Sequence, residues 1–145
     1  MKRFFLTLLG LTCFSALAHG QQEFLKANIW KIEDEEHYAK FDNRYFYTYS
    51  DYSSEGLGDT PVKREYYLSN NPSINLRGSV DYNSSLVGNT THGKYIITSS
   101  LVFEIGKYGD LELHIKPLNT LGGKWVKFKR YTGPLPAGFQ QLISN

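Results

Sequence analysis

Three alternating tyrosines are the most distinctive chemistry-bearing residues of this chain. Tyr45, Tyr47 and Tyr49 are spaced by two, so in a strand their side chains point to one face. Such a stripe offers flat apolar area with a polar tip, which suits sugars, aromatic ligands or protein partners. The same residues could instead cover a half-buried sheet and form hydrogen bonds at its rim. We treat the three tyrosines as tentative ligand-binding residues.

A second tentative site consists of two carboxylates and a histidine, Glu104, Glu112 and His114. The hairpin register derived below places Glu104 directly opposite Glu112, with His114 on the same face. Two opposed carboxylates repel weakly in water, whereas a buried pair would raise one pKa or recruit a cation. We expect this face to be exposed to solvent. The alternative is a polar spot inside a cavity, with His114 as its third member.

The sequence lacks the residue patterns of familiar catalytic and metal sites. It contains no Gly-x-Ser-x-Gly motif, and its one cysteine, Cys13, lies in an N-terminal apolar segment. His37, His92 and His114 do not have zinc-ligand spacing, and the acidic run 33–36 lacks the glycine turn of a calcium loop. We therefore expect no enzymatic activity, no cofactor and no metal site.

The elements that carry these residues are predicted to be β-strands. Aromatic and β-branched residues dominate, and no segment after residue 20 keeps a 3.6-residue apolar period. Turn-forming residues separate the runs. The segment 70–93 holds either a weak strand around Ile74–Tyr82 or a lid or surface loop. The predicted strands lie near Leu25–Ile32, His37–Phe41, Arg44–Ser50, Lys63–Ser69, Lys94–Thr98, Leu101–Gly106, Asp110–Lys116 and Lys124–Tyr131.

The hairpin Leu101–Lys116 has the clearest local pattern. Phe103 and Ile105 share one face of its first strand, and Leu111 and Leu113 share one face of its second. A three-residue loop ending in a glycine would bring the two apolar faces together, with Ile105 opposite Leu111 and Phe103 opposite Leu113.

About eight antiparallel strands in one small domain must protect their edges, and closure into a barrel does so. We predict an all-β fold for residues 21–145, a small antiparallel β-barrel of about eight strands. The alternative is an open or flattened antiparallel sheet. Closure would make the first and last strands neighbours and would bring Trp30 near Arg130.

A few residues also carry a family resemblance. The first-strand sequence Asn28-Ile29-Trp30, the run 93–97 that opens a middle strand, and the closing strand 124–130 resemble the lipocalin-like, calycin-type small exported proteins of bacteria. The resemblance implies a β-barrel of this length, with Arg130 of the last strand lying over the ring of Trp30. Asn28 stands where that family has a glycine. Ligand-binding positions vary too much within the family to be transferred.

The first twenty residues have the layout of a secretory signal peptide. Lys2 and Arg3 precede the apolar stretch 4–17, which is too short to span a bilayer, and small residues follow up to Gly20. We expect cleavage near Gly20 and a periplasmic or secreted protein. The residues before Cys13 do not fit a lipoprotein cleavage site, so lipid attachment there is not expected.

The charge balance narrows the choice of partners. The chain has 16 Lys and Arg against 14 Asp and Glu, and cleavage would remove Lys2 and Arg3, leaving a net charge near zero. Scattered charges without a net sign predict no nucleic-acid partner and no binding to anionic membranes. Binding is expected to depend on aromatic residues and little on salt.

Two functions fit these observations. The first is a non-catalytic exported binding protein that holds a small apolar or aromatic ligand in a barrel mouth. The second is an envelope-associated interaction or inhibitor module that uses the tyrosine-rich face and the segment 70–93 against another protein.

Overall fold

The computed structural model describes residues 21–109 and 111–145, which form nine β-strands and two short α-helices. The predicted signal peptide, with Cys13, and Asp110, the first residue of a predicted strand, lie outside the described residues. The elements in chain order are α1 (Gln21–Ala27), β1 (Ile29–Ile32), β2 (His37–Phe41), β3 (Tyr45–Asp51), β4 (Asp59–Glu65), β5 (Tyr67–Ser69), β6 (Tyr95–Ile97), β7 (Val102–Gly109), β8 (Glu112–Pro117), β9 (Val126–Tyr131) and α2 (Ala137–Ser144).

The nine strands form one antiparallel sheet that is nearly closed into a barrel, in the order β4-β3-β2-β1-β9-β8-β7-β6-β5. The first and last strands pair, and Trp30 lies opposite Arg130. The outermost strands β4 and β5 are separated in the chain only by Tyr66, whose N–H donates to the Arg44 carbonyl oxygen at 2.9 Å. β4 and β5 thus act as two halves of one bent strand, and the predicted all-β barrel of about eight strands is confirmed.

Alternate side chains of the strands fill the barrel, because successive residues of a strand point to opposite faces. Phe41 and Phe46 are direct partners in the β2–β3 ladder, and their rings stack with 4.4 Å between centroids. The buried interior comprises Leu25, Trp30, Ala39, Phe41, Phe46, Tyr66, Leu68, Ile96, Leu113, Ile115 and Phe128.

Helix α1 packs into one end of the barrel. Leu25 is fully buried, and its carbonyl oxygen accepts a hydrogen bond from Trp30 Nε1 at 3.2 Å. The side chain of Gln21 accepts the backbone N–H of Gly93 at 2.9 Å. The prediction of a strand beginning at Leu25 is wrong at its start, since β1 begins at Ile29. A helix of seven residues is too short to show an apolar period in the sequence.

Helix α2 covers part of the outer surface of the barrel. Phe139 is fully buried, with its ring 5.6 Å from that of Tyr38 and 5.8 Å from that of Tyr49. The absence of a 3.6-residue apolar period after residue 20 does not hold for this short helix. The signal was present, because Phe139, Leu142 and Ile143 follow the i, i+3, i+4 spacing of one helix face.

The segment 70–93 is a surface loop on the outside of the barrel. Ile74 and Val80 form one isolated bridge, and Val87 packs with Tyr67 and Ile97 in a buried cluster. The loop therefore covers the outer face of β5 and β6.

The predicted register of the β7–β8 hairpin is wrong. Strand β7 extends to Gly109, so Ile105 lies opposite Ile115 and Glu104 lies opposite Lys116. Phe103 faces Pro117. Glu104 and Glu112 are therefore not opposed.

Strand β7 runs to Gly109, which pairs with Glu112 and sets the register next to the turn, and a β-bulge at Gly106 then shifts the register by one residue. A Cβ at Gly106 would lie 2.4 Å from the ring of Trp125, so this ring packs directly on the bulged backbone. The extra residue lets both Ile105 and Tyr108 face the core, whereas strict alternation would turn Tyr108 outward. Leu111, expected on the apolar face, is 55% exposed with a φ of 70°.

Candidate functional site

A small cavity opens at the end of the barrel that lies away from α1. Its volume is about 210 Å³, and the far ends of β1, β2, β3, β7, β8 and β9 line it. Typical ligand pockets measure about 300–1,000 Å³, so this cavity suits a small ligand. The inward-facing lining consists of the apolar Ile32, Phe46, Phe103, Ile115, Pro117, Val126 and Phe128 and the polar His37, Thr48 and Ser50.

The polar lining residues lie on one wall, formed by β2 and β3. His37 and Ser50 are direct partners in the ladder, and His37 Nδ1 lies 2.8 Å from Ser50 Oγ. The other ring nitrogen, Nε2, lies 3.3 Å from the Tyr52 hydroxyl and 3.4 Å from Glu35 Oε2. The imidazole side chain is 27% exposed, so it is fixed by these neighbours yet reachable from the cavity mouth.

This wall offers a polar group to anything bound in an otherwise apolar cavity. A hydroxyl, an imidazole and a carboxylate that contact one another in series are also the catalytic groups of nucleophilic hydrolases. This arrangement recurs on unrelated folds. This arrangement was not predicted from the sequence, because His37 was weighed only as a metal ligand together with His92 and His114. The signal was available, since a tight turn between the predicted strands 37–41 and 44–50 places His37 opposite Ser50.

A second concavity, the acidic cleft, adjoins the cavity at His37. Its volume is about 350 Å³, and it lies between the β1–β2 turn and the segment after β3. Its lining residues are Asp34, Glu35, Glu36, His37, Asp51, Tyr52, Ser54 and Glu55.

The predicted tyrosine stripe lies on the outer face of β3, and of its three members only Tyr49 belongs to the cavity lining. Tyr47 and Tyr49 are each 4% exposed and pack in the cluster formed with α2. Their hydroxyls donate to Asp42 at 2.9 Å and to Asp59 at 2.8 Å. Burial, reinforced by these carboxylates, raises the pKa of each tyrosine to about 12. These two rings serve packing.

Tyr45 is the half-buried member of the stripe. The ammonium of Lys63 lies 4.1 Å from the centroid of its ring. The aromatic ring of Tyr47 is 6.0 Å away. The ligand-binding role of the stripe stays a prediction.

Glu112 and His114 lie on the outer face of β8, since the intervening Leu113 faces the core. His114 Nε2 lies 3.1 Å from Glu112 Oε2, and Lys127 Nζ lies 3.3 Å from Glu112 Oε1. The hydrogen bond from His114 and the nearby Lys127 lower the pKa of Glu112. Glu104 faces outward elsewhere, so the predicted three-membered cluster is reduced to this pair with surrounding lysines.

The structural pair Trp30 and Arg130 occupies opposed positions in β1 and β9, but the side chains differ in environment. Trp30 is fully buried, whereas Arg130 is exposed. The ring of Trp30 packs 5.1 Å from that of Phe24 in α1.

Within residues 21–109 and 111–145, no cluster of three His, Asp or Glu side chains is placed to hold a metal ion. Neither described helix has the length and apolar character needed to cross a bilayer.

Comparison with known proteins gives no relative. No protein family, no curated protein and no solved structure matches this chain.

Proposed function

We propose that this protein is an exported, non-catalytic binding protein that holds a small apolar or aromatic ligand in the barrel mouth. The observation that carries the proposal is the open cavity of about 210 Å³, lined by apolar side chains from opposite walls of the barrel. An apolar cavity of about 150 Å³ already takes up benzene in another protein. The lipocalin-like resemblance and the periplasmic or secreted location belong to the same proposal.

Filling the cavity tests the proposal. Val126→Phe adds volume to the cavity wall, whereas Val80→Phe makes the same change in the surface loop. Native mass spectrometry of protein from its own host should show a retained small molecule in the parent protein and in Val80→Phe. The Val126→Phe protein should have lost it. A folded Val126→Phe protein that retains the molecule would contradict the proposal.

A second candidate function is the hydrolysis of acyl esters. It is favoured by the series of contacts from Ser50 to His37 to Glu35. Ser50 Oγ would attack the ester carbonyl while His37 Nδ1 takes its proton and passes it to the departing alkoxide, which leaves as the alcohol. Water would then hydrolyse the acyl-serine, releasing the carboxylic acid and restoring Ser50. Turnover of p-nitrophenyl acetate that Ser50→Ala abolishes and Thr48→Ala preserves would establish this candidate. Equal rates for the two variants would exclude Ser50 as the nucleophile.

The alternative of an envelope-associated interaction module has less support. The tyrosine-rich face is covered by α2, and the segment 70–93 packs on the barrel.

A further inference from the structure

The apolar cavity and the acidic cleft meet at His37, and we infer that together they select a small amine. The apolar part of the ligand occupies the cavity, and its protonated amino group lies in the cleft. This inference rests on the proposed function and adds to it the chemical class of the ligand.

The two concavities are adjacent halves of one site. His37 lines both, with its imidazole beside Ser50 on the cavity side and beside Glu35 and Tyr52 on the cleft side. A ligand with an apolar group in the cavity therefore has its opposite end next to this imidazole.

The charge of the cleft determines which charge is favoured on the end of the ligand that lies outside the cavity. Five carboxylates line the cleft, and none of the lining residues is a lysine or an arginine. Lys31 approaches from outside, with its Nζ 4.0 Å from Glu36 Oε1. Glu36 also accepts the Tyr38 hydroxyl at 2.6 Å, and Asp51 accepts the Ser53 N–H at 2.9 Å. A concave surface of one sign concentrates ligands of the other sign, so it attracts an ammonium and repels a carboxylate.

The cleft also contains an aromatic ring suited to a cation. Tyr52 lines it, and the rings of Tyr52 and His37 meet edge to face at 5.4 Å. An ammonium group is attracted to the face of a tyrosine ring. The exposed carboxylates Glu35 and Glu55 can complete the ion pair.

The small net charge of the chain, +2, coexists with local clusters of charges of one sign. Carboxylates surround the cavity mouth, whereas Lys107 and Lys127 lie on the outer face of β7 and β9 around Glu112, and Lys129 pairs with Glu33 beside the cleft at 2.8 Å. The net charge of the chain predicted that binding depends little on charge. At this site we therefore expect the opposite, namely that affinity depends on the charge of the ligand.

Three probes of similar size and different charge test the inference. They are benzylamine, benzyl alcohol and benzoate, titrated into the purified protein and followed by chemical-shift changes in NMR spectra, which detect weak binding. Benzylamine should bind about tenfold more tightly than benzyl alcohol, and benzoate should bind most weakly.

A pair of double variants locates the effect. Glu35→Gln with Glu55→Gln removes two charges from the cleft and should reduce the preference for benzylamine to about twofold. It should leave the affinity for benzyl alcohol unchanged. Glu23→Gln with Glu104→Gln removes two charges elsewhere and should preserve the preference.

The outcomes separate the two proposals. Binding of benzyl alcohol or benzoate as tightly as benzylamine would overturn the inference and leave the cavity as the binding site. An unchanged preference in the cleft variant would likewise overturn it. Absence of binding by all three probes would count against the cavity itself.

Discussion

At the scale of single residues, Gly93 lies so close to the neighbouring backbone that a side chain there would force a shift. Gly93 is buried, and a Cβ there would lie 2.3 Å from the backbone nitrogen of Ser69. Its own N–H donates to Gln21 of α1, so the position joins β5, the loop 70–93 and the helix that packs into the barrel end.

Gly93→Ala should lower the free energy of unfolding by about 1–3 kcal/mol, because a backbone segment must move to make room. Gly58→Ala is the matched control, since a Cβ at Gly58 meets nothing within 4 Å. Urea denaturation of both variants measures the difference. Equal urea denaturation midpoints would show that the backbone of β5 moves away from the added methyl group without loss of stability.

The buried tyrosines predict an alkaline limit to stability. Burial raises the pKa of Tyr47, Tyr49 and Tyr66 to about 12, above the value near 10 of an exposed tyrosine. The native state then holds protons that the unfolded state loses, so stability is constant below about pH 10 and falls between about pH 10 and 12. Spectroscopic titration of tyrosinate together with denaturation over this range checks the prediction. Tyrosines that all ionise near pH 10 without loss of structure would contradict it.

At the scale of elements, the role of the tyrosine stripe depends on α2. Phe139 anchors this helix against Tyr38 and Tyr49, and the covered face is thereby removed from solvent.

Phe139→Ala should cost about 3–5 kcal/mol of the docking free energy of α2, the usual cost of truncating a buried phenylalanine. Hydrogen exchange should accelerate in residues 137–144 while the strands of the barrel stay protected. Gln141→Ala changes an exposed residue of the same helix and should leave exchange unaltered. Unchanged exchange in the Phe139 variant would show that the helix is held by other contacts.

At the scale of the whole molecule, closure rests on the pairing of the first strand with the last. Lys31 in β1 lies directly opposite Lys129 in β9. Directly opposed residues of antiparallel strands have Cα atoms about 4.5–5.5 Å apart, a distance that a disulfide can span.

Cysteines at positions 31 and 129, introduced into a Cys13→Ser background, should therefore form a disulfide under mild oxidation. Cysteines at positions 31 and 107 should not, because β1 and β7 are three strands apart, roughly 14 Å. Mass spectrometry with and without reductant distinguishes the two pairs. A free thiol pair at 31 and 129 would argue for an open sheet.

The sequence by itself determined the fold class and most strand positions, because alternation and turn residues are local properties. The predicted strands 37–41 and 44–50 match β2 and β3 closely, and the pairing of Trp30 with Arg130 follows from the need to protect sheet edges. The two short helices were not predicted, because one is seven residues long and the other shows apolar spacing over a single turn.

Only the tertiary structure decided the register of β7 with β8 and the composition of the site. Strand β7 continues to Gly109, and its strict alternation is broken by a bulge at Gly106, on which Trp125 packs from 19 positions away in the chain. The cavity combines the ends of six strands, and its polar wall arises from the cross-strand pair His37 and Ser50. Apart from this local hairpin pair, the contacts of the site depend on which distant segments meet, and no local pattern encodes that meeting.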